Sequence, residues 1–135
     1  ARRSARPVLV RVLVDTHAWL WMLTDPDRLP ARAAEVLADP TTQVFVSAAS
    51  AWEIAIKRGI GKLKIPQNNY LEELRLHRFT PLSITTEHAL AVENLPSHHK
   101  DPFDRLLIAQ AQVEHLTLIT RDQRLSLYDV KIIET

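Results

Sequence analysis

Four acidic residues, Asp15, Glu53, Asp104 and Asp122, stand where solvation alone does not account for a carboxylate, each at the end of an apolar run or near the start of a predicted helix. If they meet, their mutual repulsion demands a cation. An all-oxygen donor set in a chain without cysteine selects a hard ion, Mg²⁺ or Mn²⁺, which keeps several waters and is completed by substrate phosphates. Such an ion serves phosphodiester hydrolysis by polarising the phosphoryl oxygen, lowering the pKa of an attacking water and steadying the leaving oxygen. Each acid also has a plainer reading. Asp15 caps a helix starting near Thr16. Glu53 completes a capping box from Ser50 or pairs with Lys57 one turn on. Asp104 lies in a first turn favoured by the helix dipole, behind Asp101 as N-cap and Pro102 at the first helical position. Asp122 is a first-turn acid behind a Thr120 cap. Four independent caps would have no reason to converge on one rim, and their convergence favours the metal site.

The elements that must position these acids follow from the apolar pattern. Val8 to Val14 is a β-branched and leucine run without polar alternation, the pattern of a central parallel strand covered on both faces. It carries Asp15 to its carboxyl end, where open α/β sheets form their ligand crevice. A helix over Trp19, Met22 and Leu23 stops at Thr24-Asp25-Pro26-Asp27, and a second spans about Pro30 to Ala38. Gln43 to Ser47 reads as a strand and Ala48 to Arg58 as a helix capped by Gly59. An amphipathic helix is predicted from Pro66 to Phe79 through Tyr70, Leu71, Leu74 and His77, then a weak edge strand from Phe79 to Ile84 broken by Pro81. Thr85 to Asn94 is helical. The long helix that follows Asp101-Pro102 runs through His115 and sets Asp104 in a stripe with Leu107, Ile108 and Ala111. Leu116 to Thr120 is a strand, Arg121 to Ser126 a helical turn, and Leu127 to Ile133 the last strand. This alternation predicts a three-layer α/β/α sandwich with a mainly parallel sheet.

The chain of 135 residues fits one domain, read as 8–135 behind a basic tail at 1–7. No apolar stretch is long enough for a membrane helix, and the absence of cysteine makes a reducing cytoplasm the expected compartment. The net charge of +1 is too small to argue nucleic-acid binding by itself, so the distribution of charge matters more than its sum.

Four ordered motifs carry a resemblance: Val12-Leu13-Val14-Asp15-Thr16-His17, Ser50-Ala51-Trp52-Glu53-Ile54, Asp101 to Ala111, and Leu118-Ile119-Thr120-Arg121-Asp122. Together they resemble the PIN-domain ribonucleases, most closely the VapC-type toxins of bacterial toxin-antitoxin pairs, over nearly everything from Leu9 onward. The resemblance implies a Mg²⁺- or Mn²⁺-dependent endoribonuclease. On its pattern Asp15, Glu53, Asp104 and Asp122 are the catalytic and metal-binding acids, and Thr16 and Thr120 orient water or ligand. Asp101 competes with Asp104 for the third role; the stripe and the spacing to Thr120 favour Asp104. The resemblance also implies a homodimer and a VapB-type antitoxin whose tail occupies the acidic groove.

A four-carboxylate groove repels RNA unless cations flank it, and Lys57, Arg58, Lys62, Lys64, Lys100, Arg105, Arg121 and Arg124 are the candidates. His98 and His99 are weak metal candidates because adjacent side chains point apart, and His17 and His115 read as structural. Two other functions fit less well: a binding or dimerisation scaffold with unmetallated acids, and a phosphohydrolase of small phosphate esters, for which no Gly-rich phosphate loop is present.

Overall fold

A computed structural model describes residues 10–63, 69–98 and 101–134. Five strands, β1 (Arg11–Val14), β2 (Gln43–Ser47), β3 (Thr80–Leu82), β4 (Thr117–Thr120) and β5 (Ile132–Glu134), form one sheet in the order β3-β2-β1-β4-β5. Every neighbouring pair is parallel. The helices are α1 (Thr16–Thr24), α2 (Ala31–Ala38), α3 (Ala48–Gly59), α4 (Tyr70–His77), α5 (Thr86–Ala91) and α6 (Pro102–Glu114).

β1 is the central strand that its composition predicts, and Val12, Leu13 and Val14 are wholly buried. Its alternate side chains enter two cores. Val12 and Val14 join Val44, Val46 and Ile119 of neighbouring strands beneath Trp19, Leu37 and Leu74 of α1, α2 and α4. Leu13, Phe45 and Leu118 face the opposite way, onto Leu107, Ile108 and Ala111 of α6. The sheet is therefore the middle of three layers, and the stripe expected on α6 is the face it buries.

Several boundaries differ from the sequence expectation. α3 continues through Gly59, and the left-handed residue beyond it is Gly61, with φ of 73°. α4 starts at Tyr70 behind an Asn69 cap; 66–68 of its expected span lie outside the described residues. Leu74 is its buried anchor, whereas Leu71, assigned to the same face, is 71% exposed because a helix turns about 100° per residue. Thr85 to Asn94 divides into α5 and a 3-10 turn at Val92–Asn94. β5 is shorter than Leu127 to Ile133 because Gln123–Leu127 winds into a 3-10 helix capped by the Asp122 side chain. Val8, Leu9, the expected tail at 1–7, Lys64, His99 and Lys100 lie outside the described residues.

Candidate active site

The strand order reverses between β1 and β4, and the crevice beyond their carboxyl ends is where an open parallel sheet receives ligands. Val14 of β1 lies beside Ile119 of β4, and Asp15 N–H extends the ladder by donating to Ile119 O at 2.9 Å. Thr120 thus stands next to Asp15.

Asp15 both caps α1 and points into the crevice. Its Oδ1 accepts from Ala18 N–H at 2.8 Å, and its carboxylate also receives a hydrogen bond from the Thr120 hydroxyl. Only 6% of the residue is exposed. Burial pushes its pKa above the ordinary carboxylate value; the bonds from Thr120 and Ala18 and the positive field of His17 pull it down, and the negative field of Asp122 pushes it up. Asp15 is thus a buried carboxylate held by neutral donors, and among the described residues it has no ion pair.

Glu53 is carried by the second turn of α3. Ser47 caps that helix, its hydroxyl accepting from Ala49 N–H at 2.9 Å, so the Ser50–Glu53 capping box is not formed. Ser50 is buried and accepts from the Thr16 hydroxyl at 2.8 Å, which ties the first turn of α1 to that of α3. Glu53 instead makes the expected pair one turn on, 3.0 Å from Lys57 Nζ. Asp101 is the N-cap of α6, accepting from Phe103 N–H at 2.8 Å and Asp104 N–H at 3.1 Å, and it leaves Asp104 in the first turn. Asp122 follows β4, donates its N–H to Thr120 Oγ1 at 3.1 Å, and is held in a fork by Arg124 Nε at 3.1 Å and Nη2 at 2.9 Å.

All four predicted acids line one open groove of about 580 Å³, joined by Asp101 and by His17, whose position in the groove wall the sequence reading did not foresee. Among the expected cations, Lys57, Arg121 and Arg124 reach this groove. Arg105 does not line it; its guanidinium donates to the carbonyls of Val92, Leu95 and Pro96 and so braces the approach to α6. His98 packs edge-on against Tyr128. His115 closes α6 in the left-handed conformation.

The donor set suits a hard divalent ion in kind: five carboxylates and no sulfur line one groove, and among the described residues the most buried carboxylate forms no salt bridge. Among the described residues no three His, Asp or Glu side chains are gathered as closely as one bound ion requires. Glu53 and Asp122 are turned instead to Lys57 and Arg124, whose charges an incoming ion would replace.

A second polar network lies beneath the groove. Ser47 donates to Gln110 Oε1, and Gln110 Nε2 donates to His88 Nδ1 at 3.3 Å. Thr85 N–H also donates to Nδ1, at 3.0 Å, so Nε2 carries the ring proton and donates to Glu114 at 2.7 Å. The sequence signals for it were slight: a glutamine inside the apolar face of α6, and a histidine three residues after a capping threonine.

The model of the family described as PIN domain matches residues 12–131. Ribonuclease VapC22 of Mycobacterium tuberculosis is 32% identical over 120 residues, 87% of this chain and 91% of that protein. Among solved structures, VapBC2 from Rickettsia felis bound to a promoter DNA fragment is similar with a TM-score of 0.70 at 16% identity, covering 93% of this chain and 98% of that one. DNA-bound VapBC from Salmonella typhimurium is similar with a TM-score of 0.69 at 17% identity, again covering 93% and 98%. At those identities the solved structures corroborate the fold alone.

Proposed function

As the chain belongs to the PIN-domain family, we propose that it is a Mg²⁺- or Mn²⁺-dependent endoribonuclease, the toxin of a toxin-antitoxin pair. The observation that carries this reading is that Asp15, Glu53, Asp104 and Asp122, delivered by β1, α3, α6 and β4, line a single groove at the switch point of the sheet. In this reading the four acids hold the ion, and Thr120 fixes the rotamer of Asp15 while the Thr16–Ser50 bond sets α3, and with it Glu53, against α1. A divalent ion held there would supply Lewis acidity at the phosphoryl oxygen and lower the pKa of the attacking water. Lys57 and Arg124 pair with Glu53 and Asp122, and these two carboxylates would exchange that pairing for the ion in order to hold it. An open groove of this size suits a polynucleotide strand better than a small phosphate ester, which needs a closed, shaped pocket.

An antitoxin partner of VapB type and a homodimer belong to the same reading. The similar solved structures named above are VapBC assemblies. On this chain, Trp52 and Ile56 of α3 and Ile60, its C-cap, are exposed apolar residues beside Glu53 and Lys57, and offer a partner a surface continuous with the groove.

The test is cleavage of a mixed pool of structured and unstructured RNAs by the purified chain with Mg²⁺, with Mn²⁺ and with chelator. Metal-dependent cutting that chelator abolishes is expected. A folded chain that cuts none of a broad pool under either metal would remove the support for a general endoribonuclease and favour the scaffold reading.

A further inference from the structure

Beside the carboxylates, on the His17 side of the groove, lies a cluster that the catalytic reading leaves unused. Trp21, one turn after His17 on α1, is half-buried and meets the His17 ring edge-on with centroids 5.9 Å apart. Two exposed guanidiniums stand over its ring: Arg121, from the residue after β4, at 5.3 Å, and Arg28, from the 3-10 turn Pro26–Arg28 after α1, at 5.5 Å. Among the described residues neither arginine forms a salt bridge. The other cations near the groove differ in this respect. Lys57 and Arg124 are paired with Glu53 and Asp122, and Arg105 is committed to backbone carbonyls.

A guanidinium held over an indole face by cation–π attraction is positioned without using up its N–H donors, which stay available to phosphate oxygens. A polyanion entering a groove lined by carboxylates also needs uncommitted positive charge close by. Resting on the endoribonuclease reading above, we propose that Arg28 and Arg121, held on the common platform of Trp21, form a phosphate-binding subsite that carries the single-stranded RNA away from the carboxylates along the His17 rim. Arg121 lies far along the sequence from Trp21 and Arg28, and the adjacency of β1 and β4 brings them together. The subsite contacts phosphates, so it adds affinity and path to the substrate and no base preference.

The test measures binding of a short fluorescein-labelled single-stranded RNA of mixed sequence by anisotropy across a KCl series. The chain carries Asp15→Asn in Mg²⁺ so that the probe stays intact. Arg28→Gln and Arg121→Gln are each expected to weaken binding on the order of threefold to tenfold and to flatten the dependence of log affinity on log salt by about 0.7. Arg32→Gln, which removes another exposed charge, on α2, is expected to leave both quantities nearly unchanged. Trp21→Leu, with both arginines kept, is expected to weaken binding because the guanidiniums lose their platform. The arginine substitutions lie on the surface, and a thermal melt confirms that each variant is folded. Affinity and salt slope unchanged in the Arg28→Gln/Arg121→Gln double variant would overturn the proposal. Loss of binding to polyglutamate in that variant, with RNA binding intact, would also overturn it and make the cluster a protein-docking surface. If the chain with both arginines intact bound no RNA even at low salt, the endoribonuclease reading itself would fall and the subsite with it.

Discussion

Burial disfavours the charged form of Asp15, and this has a consequence for stability that is separate from catalysis. Its pKa in the folded chain lies above the ordinary 3.8, so between those two values the folded chain binds the proton more tightly than the unfolded chain does. The sign follows: Asp15 favours folding most at pH below 3.8, and that contribution is lost as pH rises through the folded value. Above the folded value the ionised group is a net cost that a bound cation would offset. Asp15→Asn keeps an oxygen for Ala18 N–H and removes the buried charge. Its melting midpoint, measured without divalent metal, is expected to exceed that of the unaltered chain by a few degrees near neutral pH, with the gap closing in acid. A variant less stable than the unaltered chain at every pH would mean that the hydrogen bonds to the carboxylate outweigh its desolvation. At this scale the sequence was informative about residue type and place but not about partners. Asp15 was legible both as a cap and as a strand-end acid, and it is both; the Ser50–Glu53 box failed because the N-cap of α3 is three residues earlier, at Ser47.

Among the elements, α6 has two tasks. Leu107, Ile108 and Ala111 seal one face of the sheet, and Gln110, equally buried, links the Ser47 cap of α3 to His88 of α5. Gln110→Leu keeps the approximate volume but leaves the Ser47 hydroxyl without its acceptor and His88 without one of its donors. A cost of about 1–3 kcal/mol in urea unfolding is expected. RNA cleavage is expected to fall as well, because Ser47 sets the start of the helix that carries Glu53. A variant as stable as the unaltered chain would show that the network is dispensable. The strands and the long helices were legible because apolar runs and periodic stripes are local signals. The network was not, since its members are distant in sequence and meet only once α3, α5 and α6 are packed. The short ends were also hard to place: the turn after Asp122 and the left-handed residue at Gly61 depend on side-chain caps and backbone geometry that composition does not reveal.

For the whole molecule, the alternation of strand and helix already implied a parallel sheet with a crevice, and the acids fell at its rim. What the sequence withheld was which charges are committed. Lys57, Arg124 and Arg105 look alike as surface cations in the chain, yet two are paired with the groove's own carboxylates and one with carbonyls. That distinction arises from the fold and decides how a polyanion approaches. The same convergence means that the four acids should act as one unit although they come from four elements. The most direct measurement is therefore the single-turnover rate of RNA cleavage in Mn²⁺ for Asp15→Asn, Glu53→Gln, Asp104→Asn and Asp122→Asn, beside Asp101→Asn and the double variant Asp15→Asn/Asp104→Asn. Each of the first four is expected to lose at least about 100-fold, with the double variant little slower than either single one, because groups acting together are non-additive. Asp101→Asn, which retains the oxygen that caps α6, is expected to lose far less. Cleavage that persists in Asp15→Asn, or losses that multiply as though the four acids were independent, would contradict a single carboxylate-held metal centre.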